Sequence, residues 1–430
     1  MVQIREFFSF FQGNVRVLVV CRAIWSLAFS IPAPYFTLYV LALGASPVEV
    51  GLINSIGVIA GMMIEPLGGY IADRKGRVRL IGIATNFYAL SYILYIIAQD
   101  WRALAVGAFF IQLFLFYTPA LNAILADSLP PGTRGRGFAL ERTFPAALSI
   151  AAPYIGGLAI TYFGGEEEGL ILAMRLCYTA SLIVGLSVAA IRLRFLKETL
   201  SVDAPRLSIR GFPRLLKESY GSVLDTVKWM PSSFRPIVLL QIVQSLFVAM
   251  AAPFWVLYAK EAMGLTALDW GTIMLFSGIS SLLLTIPTGY FVDKYGSRRL
   301  ILFSIALAPI CVFLFLNASS FWGAAGVLIL LSVSNTMVTP SFASLIADTI
   351  RRERRGRIYA LIGEQGIQVS TSRVPSGGLL LVVPASLGSF LGGYLYTVDP
   401  HLPFMILIGS FLLCLFVTYK FIRDPIEAEK

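Results

Sequence analysis

Charge is scarce in this 430-residue chain: 13% of its residues are charged and 57% are hydrophobic. Soluble globular domains carry about 25% charged residues, so this balance, with a mean hydropathy of +0.78, excludes that class. Histidine is almost missing. The single His401 falls in a predicted connecting loop, which leaves a membrane enzyme without convergent catalytic groups. The four cysteines (Cys21, Cys177, Cys311, Cys414) lie singly in apolar stretches without metal-ligand spacing, and they read as free thiols in a core. No Gly-rich loop ending in Lys-Ser/Thr occurs, which argues against ATP-driven transport. The opening MVQIREFFSFFQGNVR lacks a small-residue cleavage site, and the apolar run after it is too long for a signal core. No cleaved leader is expected.

What the chain has is long apolar runs. Residues 104–126 are one example, and about 20 such residues cross roughly 30 Å of hydrocarbon. Only helices or closed barrels satisfy their backbone hydrogen bonds in lipid. A barrel needs alternating segments of about 10 residues; these runs are continuous. The prediction is an all-α membrane protein with twelve spans near 15–42, 49–73, 78–98, 103–127, 137–162, 170–192, 236–259, 269–292, 299–317, 321–348, 378–397 and 402–422. A polar, Pro-rich linker (193–235) separates a first bundle (1–192) from a second (236–430).

The net charge of +10 is explained by membrane topology rather than by a nucleic-acid partner. Lys and Arg concentrate after the even-numbered spans (Arg74, Lys75, Arg77, Arg134, Arg136, Lys294, Arg298). The odd connections carry Arg102 and Lys260 beside Glu166, Glu167 and Glu168. Cytoplasmic loops hold the excess of basic residues, so both termini and the linker are expected in the cytoplasm of a multi-pass cell-membrane protein.

The two halves repeat each other. APYFTLY from Ala33 matches APFWVLY from Ala252, an offset of 219. Gly51 matches Gly271 at 220, and TPALNAILAD from Thr118 matches TPSFASLIAD from Thr339 at 221. A near-constant offset indicates duplication, the layout of secondary transporters with parallel halves. One departure stands out: the second half has 15 extra residues between its RGR and the following GG, placed in GEQGIQVSTSRVPSGG, residues 363–378. The sequence leaves open whether they lengthen a helix or form a loop.

Two charged stretches carry a resemblance. Gly69, Asp73, Arg74, Gly76 and Arg77 in GGYIADRKGR, with Gly289, Asp293, Lys294, Gly296 and Arg298 in TGYFVDKYGSRRL, resemble the signature between helices 2 and 3 of the major facilitator superfamily and its second copy. Asp127-x6-Arg134 and Asp348-x6-Arg355 resemble its acid-x6-Arg pattern, and FLKET and FIRDP its third cytoplasmic element. Val78 and Ser297 stand where that signature often has arginine. Independently of the resemblance, DRKG is a favoured four-residue turn. Asp73 at a helix C-terminus needs a cation or another helix's N-terminus. The resemblance supplies the start of the eleventh span as that partner, making these residues a cytoplasmic gate; the competing reading is a solvated basic loop.

Ionisable residues inside spans are functional candidates. Arg22 and Glu65 both sit roughly 10–12 Å from the cytoplasmic surface at about 1.5 Å per residue, and the repeat has Gln241 and Thr285 there instead. An Arg22–Glu65 ion pair is expected, with Glu65 a proton-coupling candidate; alternatively Arg22 reaches the surface and Glu65 joins the charged network. Glu141 and Arg142 extend the candidates. The resemblance places the substrate cavity among the first, fourth, seventh and tenth spans, where Trp25, Tyr35, Gln112, Asn122, Gln241, Gln244, Trp255 and Asn335 are the candidate binding residues. IPAPY and APYIGG resemble drug-exporter motifs, but no arginine occurs in the fourth span at the position that branch would have it. The expectation is a monomeric, non-enzymatic secondary transporter of a small organic solute, without cofactor or metal, with protons as a candidate coupling ion. The alternatives are a drug/proton antiporter and a non-transporting receptor of the same fold.

Overall fold

The computed structural model describes residues 10–74, 76–130, 132–199, 226, 228–231, 234–363, 366–372 and 378–421. The side chains of 62–67, 69–74, 167, 352, 353, 360 and 421 lie outside that description. The long helices are α1 (Gly13–Ala42), α2 (Pro47–Arg74), α3 (Arg77–Ile96), α4 (Trp101–Ser128), α5 (Arg134–Tyr162), α6 (Leu170–Phe195), α7 (Arg235–Met263), α8 (Ala267–Tyr295), α9 (Ser297–Leu316), α10 (Phe321–Thr349), α11 (Leu379–Val398) and α12 (Leu402–Phe421). Among the described residues, eleven of these are long and apolar enough to cross a membrane, and Pro47–Gly61 of α2 adds a shorter apolar stretch. The chain is an all-α, multi-pass membrane protein. Its four cysteines are free.

Local chemistry sets the helix ends and breaks. Asp100 caps α4 by accepting from the Arg102 and Ala103 amides. Thr266 and Asp269 form a reciprocal box at the start of α8, and Ser320 caps α10. Each supplies an acceptor to backbone N–H groups that have no partner inside the helix. Proline, lacking an N–H, interrupts helices. Thus Pro34 and Pro253 sit in 3-10 turns, Ala33–Tyr35 in α1 and Ala252–Phe254 in α7. These are the two AP dipeptides of the repeat. α5 breaks at residues 150–151, just ahead of Pro153.

The packing recurs six helices on. α1 packs on α5 and α6, α2 on α4, and α3 on α4 and α6; α7 packs on α11 and α12, α8 on α10, and α9 on α10 and α12. Two seams join the helices before residue 200 to those after 234: α2 against α11, and α8 against the Ala152–Tyr162 part of α5.

Candidate functional site

The seams are tight at one end of the molecule, where α1 turns into α2 and α7 into α8. A Cβ on Gly271 would meet the Tyr35 hydroxyl at 2.5 Å and the Pro153 carbonyl oxygen at 2.6 Å. Gly51, its counterpart in the repeat, would drive a Cβ into the Ser389 carbonyl oxygen of α11. Only a residue without a side chain permits both approaches. Side-chain hydroxyls and backbone carbonyls tie this end together. Thr37 Oγ1 donates to Pro253 O at 2.8 Å, and the Tyr35 hydroxyl lies 2.5 Å from Pro153 O and 3.1 Å from Ala267 O. Ser55 Oγ donates to Ser386 O at 2.6 Å. Lys260 pairs with Glu166 at 2.7 Å, and the same carboxylate accepts from the Ala267 amide.

The other end is splayed. Residues 282–287 of α8 are exposed at five of six consecutive positions, which is more than a full turn of helix. In α5, residues 142–144, 146 and 148 are exposed while Glu141 and Pro145 face inward. The two helices that meet at the closed end therefore separate toward this one.

Between the ends lies a cavity of about 540 Å³. Its wall combines Ser30 and Pro34 of α1, Ser149 and Pro153 of α5, Gln241 and Gln244 of α7, and Asn335 of α10 with the non-helical stretch Gly366–Ser372. Among the described residues lining it, none is ionisable. Gln241 and Gln244 are 4% and 2% exposed. Gln241 donates to Ile362 O at 2.6 Å, and the Cys414 thiol donates to Gln244 Oε1 at 3.2 Å. That leaves Gln241 Oε1 and Gln244 Nε2 buried without partners among the described residues, a cost of about 1–3 kcal/mol for each unsatisfied group.

The expected binding residues divide by position. Gln241, Gln244 and Asn335 are at the cavity wall. Tyr35 is fully buried in the closed seam. Trp255 is buried against Phe315 and Phe404 at 4.6 and 5.2 Å. Trp25 stacks edge-on to Tyr88 at 5.1 Å, where the bare backbone of Gly185 in α6 admits its indole. Gln112 packs on Gly57 of α2, and Asn122 is exposed.

Arg22 pairs with Glu141 of α5. The Glu65 side chain lies outside the described residues. Glu141 is 8% exposed at its side chain and Arg22 43%. Arg22, Ser26 and Ser30 follow one face of α1 at four-residue spacing; Glu141, Ser149 and Pro153 follow one face of α5. Ser149 Oγ donates to Ser26 Oγ at 2.8 Å between them. The charge pair thus sits two turns, about 12 Å, from Ser30 at the cavity, on the same helix faces. Arg142 beside it is exposed.

At the splayed end, Arg77 is buried and pairs with Asp127 at 2.5 Å, donating also to Thr199 at 3.0 Å. Glu198 of FLKET accepts from the Val78 amide at 3.1 Å, closing the N-terminus of α3 after Gly76. Arg355 donates to Ala347 O and Ile350 O, at 2.5 and 2.9 Å, and so ties back the end of α10. Arg298 donates to Tyr419 O at 3.0 Å, and Asp348 accepts from Ser344 at 3.4 Å. Arg134, Asp293 and Lys294 are exposed, Gly289 faces open space, and Gly296 joins α8 to α9 at φ +82°. These contacts each stay within residues 76–199 or 289–421. Gly69 lies within α2, and the side chains of Asp73 and Arg74 lie outside the described residues.

Three features were not anticipated from sequence. Arg192, 3% exposed, donates to Thr85 at 2.9 Å and lies over the Tyr117 ring at 5.5 Å. The Lys260–Glu166 pair joins residues 94 positions apart. The stretch 366–372 enters the cavity; its one readable signal is the alternation of Ile367 and Val369 with polar neighbours.

The comparisons agree with this geometry. The sequence profile of the Major Facilitator Superfamily matches residues 18–372. Multidrug resistance protein MdtG of Dickeya zeae (strain Ech586) is 23% identical over 344 residues, 77% of this chain and 79% of that protein. Among solved structures, a bacterial homologue of the iron transporter ferroportin in an inward-facing state aligns with a TM-score of 0.71 at 15% identity, over 95% of this chain and 98% of that one. The nucleoside transporter NupG aligns with a TM-score of 0.69 at 13% identity, over 96% and 100%. At these identities the structural likeness is one of fold. A profile covering most of the chain, on this helix packing, shows that the protein belongs to the Major Facilitator Superfamily.

Proposed function

We propose that this protein moves a small organic solute across the cell membrane by alternating access, with twelve spans in two bundles, 1–192 and 236–430, joined by a cytoplasmic linker. The observation that carries the reading is the cavity walled by α1, α5, α7, α8 and α10, sealed at one end and splayed at the other. Helix pairings that recur six helices on support the two bundles. The basic loops at the splayed end support placing it, with both termini, in the cytoplasm. The conformation is then inward-facing. Opening the other side requires α5 and α8, and α2 and α11, to part at Gly271 and Gly51.

Proton coupling is assigned to the Arg22–Glu141 pair. A carboxylate that exchanges its arginine partner for a proton changes how α1 holds α5, beside the cavity. The MdtG relatives' name, multidrug resistance protein, favours drug-like solutes as the cargo. The cytoplasmic gate residues, by this reading, hold each half's loop ends together through Arg77–Asp127 and Arg355, and the role is structural rather than catalytic.

The test is flux in proteoliposomes with and without a pH gradient, using chloramphenicol, uridine and ethidium. Gradient-driven flux of at least one solute is expected, lost in Glu141→Gln while solute binding persists. Passive flux that Glu141→Gln leaves intact would remove the coupling, and binding without any flux would make the protein a receptor.

A further inference from the structure

Charge is added to the repeat at one place. At the offset of 221, RRER (351–354) stands where the first half has PPGT (130–133), while the RGR that follows is common to both halves. The first half meets the topological demand for a basic loop with its RGR alone. Of the shared arginines, Arg355 ties back the end of α10. The added arginines of the second half serve neither end. Residues 351–357 carry five arginines and one glutamate. Arg352 and Glu353, whose side chains lie outside the described residues, enter only through that charge. The linker residues 200–225 hold four basic and three acidic side chains, so they do not cancel it. Arg351, Arg354 and Arg357 are exposed, and among the described residues no carboxylate pairs with them.

Arg354 rests on a platform. Its guanidinium lies over the Trp229 ring, 4.5 Å from the centroid, a favourable cation–π contact. Trp229 is half-buried, and Met230 after it is buried. Arg235, in the first turn of α7, donates from Nε to Met230 O at 3.2 Å and so holds this stretch against its own helix. The indole is thereby anchored to α7, whereas Arg354 belongs to the short helix Arg352–Ile362 that follows α10. A guanidinium resting on an aromatic face keeps its in-plane N–H groups for other partners. Lys228, next to the indole, is exposed as well. The place is the rim of the membrane-spanning bundle, where α10 ends at Thr349 and α7 begins at Arg235. One turn into α7, on the face of Arg235, Leu239 is 62% exposed.

We propose that Arg351, Arg354 and Lys228, with Trp229 as their platform, form a docking surface for the headgroup phosphate of an anionic membrane lipid. A phosphodiester matches the fork of an arginine through two parallel N–H···O bonds. Basic clusters directly beyond a span attract anionic headgroups, and the ends of α7 and α10 put this cluster at headgroup depth. The exposed Leu239 gives the acyl chains an apolar surface just inside the rim. A soluble phosphate would meet the same arginines but would gain nothing from that surface.

The inference is independent of what the central cavity binds. Its test is a thermal-shift titration of the full-length protein in neutral detergent with dioctanoyl-phosphatidylglycerol, dioctanoyl-phosphatidylcholine and glycerol 3-phosphate. Phosphatidylglycerol is expected to raise the melting temperature at a concentration at least tenfold below phosphatidylcholine, and glycerol 3-phosphate to leave it unchanged there. Arg354→Gln and Trp229→Leu should each weaken that response at least fivefold. Trp229→Leu leaves every charge in place, and Trp229→Phe, which keeps a ring, should restore most of the response. Arg134→Gln removes one exposed charge at the same end of the molecule and should change it less than twofold. Equal losses in Arg354→Gln and Arg134→Gln would reduce the effect to net charge and overturn the assignment. A full response in Trp229→Leu, equal stabilisation by both lipids, or stabilisation by neither would overturn it as well. Glycerol 3-phosphate acting as strongly as the anionic lipid would make this a soluble-phosphate site and remove the lipid as its occupant.

Discussion

Replacing Gly271 by alanine tests the proposed inward-facing geometry directly. The new methyl would sit 2.6 Å from Pro153 O, where ordinary contacts begin near 3.4 Å. α5 and α8 must therefore part by close to 1 Å at the closed seam, and the opposing atom is backbone, which cannot rotate away. Overpacking of this kind costs about 1–3 kcal/mol. The cost falls on the closed seam alone, because the seam parts when the outer side opens. The equilibrium between the two states then shifts by roughly 5- to 150-fold. Gly289→Ala on the same helix is the control: a Cβ there meets nothing within 4 Å, and it shares the gain of about 1 kcal/mol in helix propensity. Ala33, on the cavity wall, serves as the reporter once changed to cysteine in a background without the four native thiols. A membrane-impermeant thiol reagent added outside reaches it only when the outer seam opens. Gly271→Ala should speed that labelling at least fivefold over Gly289→Ala. Equal rates in two well-folded variants would refute the seam as the outer gate.

Three further outcomes follow from the same contacts. Glu166→Gln removes the charge partner of Lys260; because Lys260 is 41% exposed, the pair is worth at most about 1 kcal/mol, so Ala33→Cys labelling should rise by less than fivefold. Arg22→Gln strands a carboxylate that is 8% exposed; with Arg22 itself half in water, the loss is expected near 1–2 kcal/mol, below the 3–5 kcal/mol of a fully buried pair, read as a lower melting temperature in detergent that Arg22→Lys partly restores. Thr85→Val takes the hydroxyl from a buried Arg192 and should cost about 1–3 kcal/mol, more than Arg192→Met, which removes the buried charge altogether; the reverse order in thermal melts would contradict this account of Arg192.

Much of the fold was legible because lipid leaves few options. A run of apolar residues long enough to cross the bilayer must be a helix, and the twelve expected spans agree with the observed helices to within a few residues at their ends. The repeat offsets located Gly51 and Gly271 as a pair, and both prove to be points of close backbone approach on the two seams. The site was less legible. Tyr35, Trp25 and Trp255 were singled out by residue type, yet an aromatic ring in a span is buried as readily in a seam or a core as in a cavity, and spacing along one helix does not say which neighbour its face meets. Arg22 shows the same limit: depth in the membrane was readable, whereas its pairing with Glu141 of α5 depended on how the helices sit around α1.

The sequence by itself determined class, span, repeat and the position of the 15 extra residues, because hydropathy and periodicity are local properties of the chain. Only the tertiary structure decided where the described part of that stretch, residues 366–372, lies. Gly363 and Gly378 lie side by side, Asn335 clasps Val369 from a helix 34 residues away, and residues 366–372 become part of a cavity wall. Such contacts join residues distant in sequence, so they exist only once the helices have packed, and nothing local along the chain encodes them.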